Sequence, residues 1–453
     1  MHPANPPMTT PAPSAPLDRS GAAAPAVPYA AVALLLFAST ALRLPSTFRY
    51  PSFWAEDATV LFKQGVEVGP AALLLPFYGS YHAVPRLIVF FSSLLPVIWA
   101  PALYALGAGL GFSACLALFA RAGFRWLVPD DRIRLLLCWL FSLAPGTNEG
   151  FFALCTLNYA VFCGIVFLLL ERDEQGRWRM GLGRALLVSF LWLSAGQGVV
   201  LALPLAGLFW RTRNRAYLLC LATLGLSTAL NLTAENSYRP AELAGLRALV
   251  LVYIDNLCLR LAFVPLVGQR WIRRVYAMSD VVFYGLSAAL LGGYLYLVGR
   301  KRDPDADGKR VLLVTVLSAM ATFPLTVLVR DYALPILRRR NFHMGGRISL
   351  VPSTLALLLL WLWLARPTGS LSRRAAAWAF LAWATLNVLY EPYLQPFAAF
   401  RLFGQEWPQQ AAIIEKALQD RRAGRLREPV VVKDIRCRPR SPDWKIDELV
   451  IRP

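Results

Sequence analysis

The sequence predicts an all-α polytopic membrane protein of about eleven transmembrane helices, and two observations carry that expectation. The first is composition: 57% of the 453 residues are hydrophobic and 16% are charged, against about 45–50% and about 25% in ordinary soluble domains. The second is clustering. The apolar residues gather in runs approaching the roughly 20 positions that a helix rising about 1.5 Å per residue needs to cross a hydrocarbon core. Together these exclude a disordered chain, a coiled coil and a soluble enzyme of this length.

The net charge of +20, from 47 basic and 27 acidic residues, would suggest nucleic acid in a soluble protein. In a membrane protein, basic residues mark cytoplasmic loops and touch anionic headgroups, so no nucleic-acid partner is expected. The seven cysteines lie mostly inside apolar runs with no CxxC spacing. They read as small core side chains rather than a disulfide framework.

Taken in order, residues 1–26 are a disordered arm rich in Pro and Ala. A membrane domain over 27–390 follows, with spans at 27–44, 101–120, 134–146, 158–170, 184–195, 198–210, 216–232, 280–298, 311–329, 349–365 and 375–390. Two further apolar stretches, 84–98 and 246–267, could also span, and charge decides against it. The joints 121–134, 171–184, 211–215, 299–310 and 366–374 carry four, four, three, five and three basic residues. Short basic joints belong in the cytoplasm. All five can lie there, with the N-terminus, only if both extra stretches lie along the outer interface. Asp255 and Arg260, inside the second stretch, are also easier to place near headgroups than at bilayer depth.

Four outer regions result, 45–100, 146–157, 233–279 and 330–348, followed by a small outer tail, 391–453. The tail shows an amphipathic helical pattern over Glu406–Arg422 and two strand-like runs, Pro429–Ile435 and Trp444–Ile451. No Walker motif, GxGxxG fingerprint, HExxH helix, heptad seam or internal repeat occurs, so no soluble nucleotide-binding module is expected.

The segment richest in chemistry is Tyr50-Pro-Ser-Phe-Trp-Ala-Glu-Asp-Ala-Thr59, directly after the first span. Glu56 and Asp57 are adjacent carboxylates at the membrane surface, preceded by Trp54 and followed by Phe77, Tyr78, Tyr81, His82 and Arg86. Taken alone, the pair could simply favour a helix N-terminus, with Trp54 as an interfacial anchor. The surrounding order adds to this: an outer loop, a span, a basic turn from Arg121 to Arg134, a short span, then Ala-Pro-Gly-Thr-Asn-Glu149-Gly and Asn158.

An acidic pair just past the first span, with a second acid after a later short span, resembles the GT-C superfamily of membrane glycosyltransferases. Protein O-mannosyltransferases and aminoarabinose transferases belong to that superfamily. The resemblance covers the first 170 residues in motif and the remainder in topology. It implies an enzyme of the bacterial inner membrane with its N-terminus in the cytoplasm and its C-terminal tail in the periplasm. Such an enzyme moves a sugar from a polyprenyl-phosphate donor to a glycan, lipid or protein acceptor of the cell envelope, with inversion. Asp57 would then be the base, since neighbouring helix residues point about 100° apart and its short side chain is well fixed. Glu56 is the second choice, and Glu149 faces the same cavity or holds an optional divalent cation, magnesium or manganese. Trp54, Tyr78, Tyr81, His82 and Asn158 would hold sugar or acceptor.

The departing lipid phosphate needs cationic donors. Region 330–348 carries five basic residues and region 233–279 six, against the usual outward bias. Arg339, Arg340, Arg347 and Arg274 are the expected phosphate ligands, because planar Arg pairs bidentately with phosphate oxygens. The rival reading is a transporter or a flippase for lipid-linked glycans. Transporters keep ionisable residues near mid-membrane and show repeat symmetry. Here the acids gather at one face. A non-catalytic scaffold for envelope assembly is the third class.

Overall fold

The computed structural model describes residues 28–43, 46–49, 51–54, 56–76, 81–143, 151–173, 177–195, 199, 201–233, 279–299, 354–355, 358, 378, 382, 407–436 and 445–453. These are mostly helical. Helix α1 (Tyr29–Arg43) and the short α2 (Ser46–Arg49) precede a π-helical turn, Asp57–Phe62, which runs into α3 (Lys63–Val68). Then come α4 (Ala83–Ser92), α5 (Ala100–Ala117), α6 (Asp131–Ser142), α7 (Leu157–Leu170), α8 (Leu182–Trp192), α9 (Ala202–Thr212), α10 (Arg215–Thr233) and α11 (Asp280–Gly299). The tail forms α12 (Trp407–Arg422) and an antiparallel hairpin, β1 (Val430–Arg436) and β2 (Lys445–Ile451), with Val430 opposite Ile451 and Arg436 opposite Lys445.

Helix α7 is apolar on every face and buried at every position, as a helix without a polar stripe must be. Around it, α5 packs through small residues. A Cβ on Gly109 would stand 2.8 Å from Phe152 and 2.9 Å from Phe37, and one on Gly111 would stand 3.1 Å from Leu157. Small residues let helix backbones approach closely. Helix α1 buries Val32, Leu36 and Thr40, a stripe of spacing four, while Leu34 and Leu35 on its other face are exposed. Exposed leucines recur on α8, α9 and α10, at Leu186, Leu203 and Leu226. Apolar outer faces on this scale suit contact with lipid.

Helices α1 and α5–α11 coincide in place with the expected runs. Their lengths qualify the expected span count. Among the described residues one stretch, Val97–Ala120 at 24 residues, is long and apolar enough to cross a membrane. Helix α1 has 15 residues and α7 has 14, about 22 and 21 Å at 1.5 Å per residue, short of a hydrocarbon core of about 30 Å. The expected runs at 311–329, 349–365 and 375–390 lie outside the described residues, apart from helical positions at Thr354, Leu355, Leu358, Trp378 and Ala382. The interfacial stretch expected at 246–267 also lies outside them.

The helices have two distinct ends. At one, the basic joints meet. Glu171 pairs with Arg121 at 3.1 Å and with Arg184 at 3.2 Å, Arg172 stacks over Trp126 and Trp178, and Asn214 donates to the Met180 carbonyl at 3.0 Å. The joints 121–134, 171–184 and 211–215 are thus bonded to one another. At the other end, the tail is built into the rest of the molecule. Ile414 and Leu418 of α12, with Val432, Ile435, Ile446 and Leu449 of the hairpin, share one core with Phe53, Phe62, Val66 and Tyr104. Glu415 accepts the Val97 N–H at 2.7 Å, and Trp407 donates to the Ile98 carbonyl at 3.0 Å. Helix α4, 10 residues and about 15 Å long, lies at this second end too, its first turn held by a bond from the Val84 N–H to Ser194 Oγ at 2.7 Å.

The basic junction gives a test of the fold. A Cβ on Gly123 would lie 2.6 Å from the Arg172 carbonyl oxygen and 2.4 Å from Glu171 Cγ, so backbone has to shift. Gly123→Ala is expected to cost about 1–3 kcal/mol, read as a lower unfolding midpoint of the purified protein. Gly181→Ala, with nothing within 4 Å of its Cβ, is the control.

Candidate functional site

The acidic pair sits where the segment between α2 and α3 meets the residues before α7. Residues Asp57, Ala58, Leu61 and Phe62 are all buried, a spacing that turns one face of the π-helical turn inward. At the end of the same turn Phe62 and Phe53 pack at 4.6 Å between ring centres, and Trp407 closes on both at 5.7 and 4.9 Å. The acidic turn is therefore braced by the tail. Gly69, with φ of 69°, ends α3 in a conformation that suits glycine, and Pro70 follows. Arg86 of α4 fastens the loop by donating to the Ala72 carbonyl at 2.6 Å and to Gln64 Oε1 at 2.8 Å. Its burial lowers the guanidinium pKa to about 10.

Asp57 is 1% exposed. Its Oδ2 accepts the Leu154 N–H at 2.9 Å and its Oδ1 accepts the Cys155 N–H at 2.8 Å. These amides open the turn that leads into α7, so Asp57 places a carboxylate at the N-terminus of another helix, where the unpaired N–H groups and the dipole favour it. Burial nonetheless dominates and pushes the carboxyl up from 3.8 to about 7; the two amide bonds oppose that shift and adjacent Glu56 adds to it. Glu56 shares the corner at 8% exposure, with Cys155 Sγ donating to its Oε2 at 3.7 Å. Trp54 and Val60 pack on Ala153 and Cys155.

The raised carboxyl makes a pH test. Because the folded pKa lies above the unfolded one, the folded state holds more protons between about pH 4 and 7. Stability should fall as pH rises through that window and level off above about 7. Asp57→Asn should flatten that dependence in unfolding midpoints measured from pH 4.5 to 8.

Of the residues expected from sequence, the structure thus gathers Trp54, Glu56 and Asp57 onto residues 153–155. Asn158 is the second residue of α7, buried, its Oδ1 without a hydrogen-bond partner among the described residues. Tyr81 and His82 stand at the start of α4, His82 buried in the left-handed region with φ of 47°. Tyr78, Glu149, Arg274, Arg339, Arg340 and Arg347 lie outside the described residues. Among the described residues no group of three His, Cys, Asp or Glu side chains is placed to hold a metal ion. The expected preference for Asp57 as base meets a physical obstacle: both of its oxygens are committed to backbone amides in a site almost closed to solvent. Sequence reasoning did not single out Leu154 and Cys155; the available signal was the start of the apolar run that forms α7.

No family model matches this chain, no curated protein is similar to it by sequence, and no solved structure matches it. The resemblance to GT-C enzymes rests on the chain's own residues.

Proposed function

We propose that this chain is an integral membrane glycosyltransferase of the bacterial inner membrane. It moves a sugar, with inversion, from a polyprenyl-phosphate donor to a glycan, lipid or protein acceptor at the periplasmic face. The observation that carries this reading is the buried acidic pair held between two outer segments, with Asp57 tied to Leu154 and Cys155. Because Asp57 is committed to that tie, Glu56 takes the acceptor's proton as the sugar migrates. Asp57 is a positioning residue that fixes the acidic turn against α7. Trp54 and Asn158 line the sugar side, and Glu149 supplies the second acid of the cavity, with or without a divalent cation.

The layout of about eleven spans, N-terminus in and tail out, belongs to the same proposal. It is supported by the gathering of three basic joints at one end and by the packing of the tail on loop 45–100 at the other. Outward-facing Arg339, Arg340 and Arg347, with Arg274, are assigned to the donor phosphate. The Arg340→Ala and Arg347→Ala variants should weaken donor binding by about tenfold each, the scale of a charge-assisted pair, with acceptor binding unchanged. The reading itself is tested by mass spectrometry of lipids extracted from the purified protein. A polyprenyl phosphate bearing a sugar supports it, and a preparation holding only ordinary phospholipids counts against it.

A further inference from the structure

A second site lies next to the acidic turn. Between α3, α4, the start of α5 and the tail helix α12 is a cavity of about 310 Å³, within the range of roughly 300–1,000 Å³ typical of small-molecule sites. Its walls are apolar, formed by Phe62, Val66, Val89, Tyr104 and Leu418, and Arg421 and Arg422 also line it. Arg421 is half-buried and donates to the Val66 carbonyl at 3.1 Å, while Arg422 is exposed. Among the described residues neither is paired with a carboxylate. On the α4–α5 side Leu94 and Leu95 line the same cavity, and with Phe91 and Trp99 they form an apolar rim that is at least half exposed at each residue.

An apolar slot beside an exposed apolar rim, with two guanidinium groups on its wall, has the layout of an amphiphile site. The chain enters dry, and the head meets fixed positive charge. We propose that this cavity holds the alkyl chain of an anionic bilayer lipid, with the lipid's phosphate against Arg421 and Arg422. The occupant is fixed by charge complementarity and by the rim, which gives a chain a route in from the bilayer. The cavity shares Phe62 with the acidic turn, while Leu154 and Cys155, which hold the Asp57 carboxylate, do not line it. The inference rests on the membrane reading of the chain and not on sugar transfer. A bound lipid would brace α12 against α3 and α4, and so hold the acidic turn.

The test uses the full chain, purified in detergent and stripped of lipid, then incubated with lysophosphatidic acid or with lysophosphatidylcholine of the same chain length. Lipid retained per chain after gel filtration is measured by mass spectrometry. The wild type should retain lysophosphatidic acid with a preference of about tenfold or more, as expected for charge-assisted bonds to phosphate. The double variant Arg421→Gln with Arg422→Gln should lose the preference. Ser93→Phe, at an exposed position on the cavity edge, should reduce retention of both lipids by filling the slot. Millimolar inorganic phosphate in the column buffer should leave retention unchanged. Equal retention of the two lipids by the wild type, unchanged retention in either variant, or displacement by inorganic phosphate would each overturn the proposal.

Discussion

Replacing Glu56 by Gln is expected to lower transfer by about 10²–10⁴-fold, the usual contribution of general-base assistance, while leaving the fold intact. The amide is isosteric, so it keeps the shape of the corner at Cys155 and removes only the capacity to take a proton. The expected signature is a loss in kcat with little change in KM for the donor, because the base contributes to the transition state and not to the lipid phosphate. The sequence alone favoured Asp57 for this role. Residues 56–62 and 153–155 meet through Asp57, and each of its oxygens accepts one backbone bond there.

Asp57→Ala should have the second large effect, and its character should differ. Removing the carboxylate leaves the Leu154 and Cys155 N–H groups unpaired in a buried setting. Each orphaned donor costs about 1–3 kcal/mol, so about 2–6 kcal/mol in all, and the turn entering α7 should loosen. Activity should fall because the acidic turn is no longer registered against α7. The lowered unfolding midpoint should accompany it, which separates this variant from Glu56→Gln. Asp57→Asn should be intermediate in stability, since one oxygen still accepts while the amide NH₂ faces a backbone donor. A variant at Asp57 with wild-type stability and no activity would return the base assignment to Asp57.

Much of the helical scaffold was legible in the sequence, because apolar runs bounded by charged joints mark helices directly. The runs 158–170 and 216–232 became α7 and α10 with ends shifted by a residue or so. The tail was legible for the same reason in a polar setting. The Glu406–Arg422 pattern became Trp407–Arg422, and the two strand-like runs became a paired hairpin. What periodicity does not encode is which distant segment an element docks on. The tail's packing on Phe53 and Phe62 crosses more than 300 residues of chain, and the tie from Asp57 to Leu154 spans 97. A carboxylate that caps its own helix and one that caps another look identical in sequence. The preference for Asp57 as base followed from local geometry alone; the long-range bonds to Leu154 and Cys155, which no local pattern announces, are the reason Glu56 is proposed for that role instead.

The central claim, that Glu56 drives sugar transfer from a lipid phosphate, is tested most directly by lipid extracts of cells making either the wild-type chain or Glu56→Gln. The ratio of sugar-bearing to free polyprenyl phosphate in each requires no knowledge of the acceptor. The account predicts that the sugar-bearing carrier accumulates in cells with the variant and is drawn down in cells with the wild type. An identical ratio in the two, with both proteins present in the membrane at equal levels, would contradict it.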